Sequence, residues 1–495
     1  MSVIRDSFLI PLVPVLGFVF SGILLIAVQC LNRPNLRPLS RLIGLLGPLC
    51  SILGTWYLFK SLDFVSFGNL TSGKQEAWLV EFAQSYRLDS TTVLWYWATG
   101  GICFLSFLFV QTYFKDWDEL PEILILLQFV AAGMMLLVSA NSLLMVFIAL
   151  ELMSLPTYVL VGIEKDKPHS AEAALKYFLF GSFATVLLLF SIALLYAYAG
   201  TLNMGQIAHF LSAPKGGESI SGIMVPAASA LFIVAVGFKL GLVPFHMWLP
   251  DAYLGASTPI TGFMGSAIKL AGFGMAFRVW WTMLAPISSH WGTILGALSV
   301  VTMFVGNLGA LNQKNLKRLF AYSSVSHAGY LVLGLISASK TGTEVSSQNL
   351  FYYLVVYGFM FVGVFGVVGL IERQSGSVDI SAVEGLGFSQ PFLGGCLAVL
   401  TLSAAGIPPT AGFLGKYLLF YDAVKSGHAL IVVLAVLSSV IGVYYYLRVI
   451  VALYMAEPNG TKLIVVKTNW LVFAAILFCT LCMLIFSLFP HRLGI

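Results

Sequence analysis

Five charged residues interrupt long apolar runs where a membrane-like sequence should carry none: Glu151, Lys176, Lys239, Lys269 and Lys416. On insertion scales each such charge costs about 2.5–3.5 kcal/mol, so together they represent roughly 12–18 kcal/mol of unfavourable burial. Glu151 is the one acid deep in a run, and it can neutralise a single lysine, for instance Lys176, as a structural bridge. The remaining ammonium groups then need water. Taking lysine out of bulk water favours its neutral form, which suits it to bind and release protons near physiological pH. His246 and His327 add two imidazoles in apolar surroundings, suited either to relaying protons or to a hydrogen-bonded structural role. Arg278 and Arg448 lie toward the ends of their runs and are expected to snorkel to the interface.

The elements that must position these residues are transmembrane helices. Of 495 residues, 59% are hydrophobic and 9% charged, against about 25% charged in soluble domains, which excludes a water-soluble fold. A net charge of +5 without any basic run excludes nucleic-acid partners. Apolar runs predict spans near 8–30, 41–60, 92–114, 121–139, 142–163, 172–199, 223–254, 258–284, 289–311, 316–337, 349–371, 391–425, 428–456 and 470–489, fourteen in all. The first run lacks a small-residue cleavage site and is expected to stay as a span rather than act as a signal peptide. Twelve loop cations, from Arg33 to Lys467 and including Lys317, fall on one set of alternate loops, and eight, from Arg5 to Arg492, on the other. The bias places both termini, and the polar loop from Ser61 to Ser90, away from the cytoplasm.

Spans seven and twelve are long and broken, span seven at Val243-Pro244-Phe245-His246 and again at Pro250, span twelve at Gly406-Ile407-Pro408-Pro409, where proline removes a backbone donor and clashes with the preceding turn. Such backbone survives at membrane depth only when enclosed by protein or lining a wet cavity. Pro244 and Pro408 are 164 residues apart, and spans four and nine begin 168 apart, at 121 and 289. Equivalent elements are thus five spans apart. An odd number inverts the second copy, the inverted-repeat architecture of transporters with broken helices near the midplane. Lys239 and Lys416 each lie one to two turns from a break. The chain carries no phosphate-binding glycine loop, dinucleotide fingerprint, haem-attachment motif or paired histidines at metal-ligand spacing. Its six cysteines, including Cys479 and Cys482 at CxxC spacing, fall in apolar runs and are read as helix-packing residues. No cofactor is expected in this chain.

The segments Gly237-Phe-Lys239-Leu-Gly-Leu-Val-Pro244-Phe-His246-Met-Trp248-Leu-Pro250-Asp251-Ala-Tyr253-Leu-Gly255 and Ala405-Gly-Ile-Pro408-Pro-Thr-Ala-Gly412-Phe-Leu-Gly415-Lys416 resemble the antiporter-like membrane subunits of respiratory complex I, the proton-pumping NADH:quinone oxidoreductase. The likeness runs from about 121 to 456 and includes Glu151-Leu-Met-Ser-Leu-Pro156, Glu172-Ala-Ala-Leu-Lys176-Tyr and Tyr444-Tyr-Tyr-Leu-Arg448. Gly415-Lys416 and Ser266-Ala-Ile-Lys269 are similar to the N-type branch, while Leu249 departs from its frequent threonine toward the sister subunits.

The resemblance implies an all-α bundle of about fourteen transmembrane helices: helices 1–3 in 1–120, inverted repeats of helices 4–8 in 121–284 and 9–13 in 285–456, and helix 14 in 457–495. It implies that Glu151 and Lys176 form an ion pair modulating Lys239, that Lys269 joins two half-channels, and that Lys416 exchanges protons with the outer side. NADH or another donor, FMN, iron–sulfur clusters and quinone would belong to partner subunits. The expected partners are the other membrane subunits, including further antiporter-like subunits and a small K-type subunit, together with membrane lipids, in a bacterial inner or an organelle inner or thylakoid membrane. A subunit of a multisubunit cation/proton antiporter, which shares the fold, and a scaffold without an ion path are the alternative readings.

Overall fold

The computed structural model describes residues 12–31, 37–61, 85–115, 118–212, 218–341, 344–456 and 469–488. Most of the 61–90 loop, the start of the first run and the 457–468 connection lie outside the described residues. The remainder is helical. The spans are α1 (Val13–Cys30), α2 (Arg37–Ser61), α3 (Ser90–Tyr113), α4 (Leu120–Ser139), α5 (Leu143–Val161), α6 (Pro168–Ala199), α7 in two halves, α7a (Glu218–Leu240) and α7b (Trp248–Gly255), and α8 (Thr258–Met283). They continue with α9 (Ser288–Leu311), α10 (Leu316–Thr341), α11 (Glu344–Ser375), α12 in two halves, α12a (Pro391–Ala405) and α12b (Ala411–Lys425), α13 (Ala429–Tyr454) and α14 (Trp470–Leu488). Thirteen of the described helices are long and apolar enough to cross a membrane, and the split α12 supplies the fourteenth crossing.

Local chemistry sets the ends. Proline at the first turn starts α4, α6 and α12a, where its missing N–H has no intrahelical partner to lose. Asp89 and Thr92 close a reciprocal capping box on α3. A helix the sequence reading did not anticipate, Met204–Ser212, buries Met204, Ile207 and Leu211 on one face and so lies along the bundle rim instead of crossing.

Alternate helix ends gather at two rims. At the basic rim the start of α10 pairs with the end of α11 through Lys317 and Glu372 (3.6 Å), and Tyr113 at the end of α3 donates to the same Glu372 (3.0 Å). At the opposite rim Asn141 N–H donates to Ser85 O (2.8 Å), Met204 N–H to Asn141 O (3.0 Å), and Leu143 N–H to Leu202 O (2.9 Å). Within the bundle α4 packs on α5 and α8, and α9 packs on α10 and α13; likewise α6 meets both halves of α7, and α11 both halves of α12. The second five helices therefore repeat the packing of the first in the opposite sense. The breaks correspond as well: Gly241 (φ 75°) and Gly406 (φ 79°), 165 positions apart, each hold the left-handed conformation that ends the first half-helix.

Helices α8, α10 and α11 form the interior, and the central apolar stretch of α11 is completely buried while its ends reach the rims. Outward faces of α6, with Leu175, Phe178, Phe183 and Phe190, and of α13, with Leu430, Val433 and Val440, present apolar side chains to the surroundings. A bilayer accepts such faces; water does not. Cys479 and Cys482 are buried, unbridged packing residues of α14.

Candidate functional site

Lys239 occupies the last turn of α7a, where the carbonyl-rich helix end favours a cation. Its ammonium donates to Ser154 Oγ (2.8 Å) and Tyr158 OH (3.0 Å) of α5 and lies 5.5 Å from the Tyr158 ring centroid. Tyr158 stands edge-on to Tyr177 (4.6 Å), Tyr177 stacks on Trp248 (4.3 Å), and Trp248 Nε1 donates across the break to Phe238 O (3.0 Å). An aromatic wall from α5, α6 and α7b thus holds this lysine's surroundings. His246 lies inside the break, 7% exposed, and its Nδ1 has no hydrogen-bond partner among the described groups.

Lys269 follows a π-helical turn, Met264–Ile268, in the middle of α8. Such turns shift the side-chain register and recur at functional sites. Its ammonium donates to Ser324 O of α10, and Tyr357 OH donates to Ser324 Oγ (2.9 Å). One turn further along α10, His327 bonds Tyr353 OH through Nδ1 (2.6 Å) and Tyr446 OH through Nε2 (3.1 Å), and Tyr446 bonds Ser323. Lys416 in α12b is 7% exposed; it reaches back over the break to Ala404 O (3.1 Å) and Ala405 O (3.0 Å) and also donates to Ser439 Oγ (3.2 Å). It therefore fills the carbonyl end of α12a, as Trp248 does for α7a, and lies 5.2 Å from the Tyr330 ring centroid. Tyr330 OH accepts from Asn307 Nδ2 (3.0 Å), whose Oδ1 accepts from Tyr445 OH (3.0 Å). Hydroxyl and amide groups thus occupy the interior of the second repeat between Lys269 and Lys416.

Several expectations are corrected. The Glu151–Lys176 ion pair is not formed: Glu151 Oε1 accepts from Thr185 (2.7 Å), whereas Lys176 binds Glu172 (2.7 Å) and Asp251 (3.1 Å). The reason lies in helix geometry. Glu151 meets α6 nine residues beyond Lys176, about 13 Å along the axis, and side chains lean toward the helix N-terminus, which carries Lys176 toward the basic rim. Glu151 is itself only half-buried; the acids that are enclosed among the described residues are Glu164, at 4% exposure, and Asp422, at 5%, which accepts from Asn349 (2.8 Å). Arg278 does not snorkel: at 7% exposure it pairs with Asp89 (3.1 Å) and bonds Thr92 and Val138 O. Arg448 turns onto the α9 end at Leu311 O (2.7 Å) and Gln313 O. Lys317, counted as a loop cation, is 3% exposed and donates to Ala256 O (2.9 Å).

Sequence reasoning missed Asp251, whose Oδ2 takes Lys176 and whose Oδ1 takes Arg318 (3.3 Å). Its position beside Pro250 was the available signal; the break expected at that proline is not formed, because Pro250 sits in the first turn of α7b, where its missing N–H has no intrahelical partner to lose. The hydroxyl partners Ser154, Tyr158, Ser324, Tyr330 and Ser439 carried none, because serine and tyrosine are ordinary in helices. Outside the spans, Asp89 is pulled two ways: burial raises its carboxyl, but the Arg278 charge and the Thr92 and Arg278 hydrogen bonds outweigh this and hold it below the usual carboxylate value.

Residues 140–442 match the family described as "NADH:quinone oxidoreductase/Mrp antiporter, TM". The chain is 40% identical over 365 residues to NADH-quinone oxidoreductase subunit N of Mycobacterium bovis, covering 72% of this chain and 67% of that one. Its fold matches a chain in the structure of respiratory complex I from Thermus thermophilus with TM-score 0.79 and 30% identity, covering 97% of this chain and 98% of that one. A chain of the Mrp complex from Dietzia sp. DQ12-45-1b matches with TM-score 0.81 at 19% identity, over 100% and 96%, which is a likeness of fold. Family profile, relatives and the twice-broken fourteen-crossing bundle agree, and the chain belongs to the NADH:quinone oxidoreductase/Mrp antiporter transmembrane family, among its N-type subunits.

Proposed function

We propose that this multi-pass membrane protein is the N-type proton-translocating subunit of an NADH:quinone oxidoreductase and that Lys239, Lys269 and Lys416 are its proton-holding groups. The observation that carries the reading is electrostatic. Among the described residues none of these three lysines has a carboxylate partner; each ammonium rests on hydroxyls or carbonyls alone. A lysine in a carboxylate's grip keeps its proton. One held by neutral dipoles gives it up when a nearby charge moves, and moving one charge against 100 mV requires about 2.3 kcal/mol, within what a neighbouring charge supplies.

In this reading Lys239 loads at the first break, Lys269 passes the proton along the Ser324, Tyr357 and His327 groups, and Lys416 exchanges it with the outer side. His246 is the relay at the first break. Glu151 and Lys176 modulate Lys239 from α5 and α6 without contacting each other. The translocating unit comprises 121–284 and 285–456. Redox chemistry stays in partner subunits that hold the electron donor, FMN, iron–sulfur clusters and quinone, and the membrane partners include a K-type subunit and other antiporter-like subunits. A stand-alone cation/proton antiporter is the second reading, favoured only by the shared fold.

The test is the proton-to-electron ratio of the purified complex in liposomes. Alanine removes the titrating group, and arginine keeps the charge but does not release its proton. Lys239→Ala, Lys239→Arg and Lys416→Ala are expected to lose pumping, with much of the coupled quinone reduction, in complexes that assemble. A wild-type ratio in Lys239→Arg rejects the carrier role.

A further inference from the structure

The short half-helix α7b is gripped by two consecutive cations of α10. Lys317 donates to Ala256 O (2.9 Å) and Leu254 O (3.5 Å), closing the carbonyl end of α7b, while Arg318 reaches Asp251 Oδ1 (3.3 Å). The other oxygen of Asp251 receives Lys176 of α6 (3.1 Å), which is held on its far side by Glu172 (2.7 Å). One carboxylate therefore divides its two oxygens between a lysine of the first five-helix repeat and an arginine of the second. Both partners and Asp251 are partly exposed, at 42%, 39% and 34%. The contacts are thus adjustable, unlike a fully enclosed pair, which would be locked by its own desolvation.

We propose that Asp251 is the shared counter-ion through which the charge on Lys176 is felt by α10. If Lys176 loses its charge or turns away, Asp251 is left to Arg318 alone, and that arginine is drawn further onto α7b. The displacement falls on the helix that touches an interior lysine of each repeat: Ser324 takes Lys269 of the first, His327 lies one turn on, and Tyr330 faces Lys416 of the second. Asp251 acts as a positioning residue, since it holds other groups and is not placed on the proton's route. The inference rests on the reading of Lys176 as part of the translocation machinery.

The experiment uses the intact complex in liposomes and reads two quantities, proton-to-electron ratio and thermal stability, in Lys176→Gln, Asp251→Asn, Asp251→Glu, Arg318→Gln and the Lys176→Gln/Asp251→Asn pair. Asp251→Asn is expected to lose as much of the ratio as Lys176→Gln, the pair no more than either single, and Asp251→Glu to recover most of it. Arg318→Gln, which leaves Lys176 and Asp251 in place, is expected to lower the ratio while electron transfer continues, and it carries the test if Asp251→Asn does not assemble. Additive losses in the pair, or a wild-type ratio in Arg318→Gln, overturn the proposal. Stability effects of Lys176→Gln and Asp251→Asn that are non-additive, together with normal pumping in Lys176→Gln, support the shared counter-ion and instead remove Lys176 from the translocation reading.

Discussion

The three interior lysines differ from ordinary buried cations in what satisfies them. Lys239 donates to two hydroxyls of α5, so Tyr158→Phe or Ser154→Ala leaves one ammonium hydrogen without an acceptor. A fully buried stranded donor costs about 1–3 kcal/mol, and the half-buried Lys239 stands toward the lower end because water reaches it. Each variant is therefore expected to assemble less well and to pump below wild type, less severely than Lys239→Ala, as titrated by the proton-to-electron ratio. Separation also makes a prediction for Glu151 and Lys176. Because Glu151 bonds Thr185 and Lys176 bonds Glu172 and Asp251, the stability effects of Glu151→Gln and Lys176→Ala should add to within about 0.5 kcal/mol. A larger coupling energy in the double variant would show that the two groups meet during turnover.

Helix breaks position the lysines, and glycine makes the second break possible. A Cβ on Gly406, at φ 79°, would lie 2.9 Å from Lys416 Cδ and 3.1 Å from its Nζ. Gly406→Ala therefore combines a left-handed strain of about 1–2 kcal/mol with displacement of the ammonium from Ala404 O and Ala405 O. Its pumping is expected to fall further than its assembly, measured by ratio and yield of complex. Helix ends at the opposite rim are joined by Arg278 and Asp89. Arg278→Ala leaves Asp89 with the half-exposed Arg87 (3.1 Å) as its cation and is expected to lower stability by about 1–3 kcal/mol, less than breaking a fully buried pair because Asp89 keeps that partner and some water. The pH sign follows from the carboxyl being held low. The latch contributes fully above the ordinary aspartate range, near pH 4, and is lost as acid protonates Asp89 below it. Thermal stability should fall with acid in the wild type and less so in Asp89→Asn.

At the scale of the whole molecule, the alternation of the two rims ties orientation to a single measurement. Lys314 lies at the basic rim and Lys425 at the opposite one. Cysteines introduced at these positions should label from opposite sides of the membrane, Lys314→Cys from the cytoplasmic side under the charge bias. Labelling from one side would reject the fourteen-crossing arrangement.

Fourteen crossings, two breaks and the lysines beside them were legible in the amino-acid sequence because a bilayer imposes its constraint locally. Each run of about twenty apolar residues must be a helix, each central proline must break one, and each charge left inside is conspicuous against its neighbours. Partnership was not legible, since it depends on which helices lie side by side and how far along their axes they meet. Glu151 and Lys176 are close in sequence, yet their helices cross so that one meets Thr185 and the other Asp251. Arg278 read as a residue reaching for the interface, but Asp89, 189 positions away, enclosed it. Tertiary packing alone decided that α10 would carry the groups facing Asp251, Lys269 and Lys416, because hydrogen bonds and ion pairs between helices follow distances of a few ångströms that no spacing along the chain encodes.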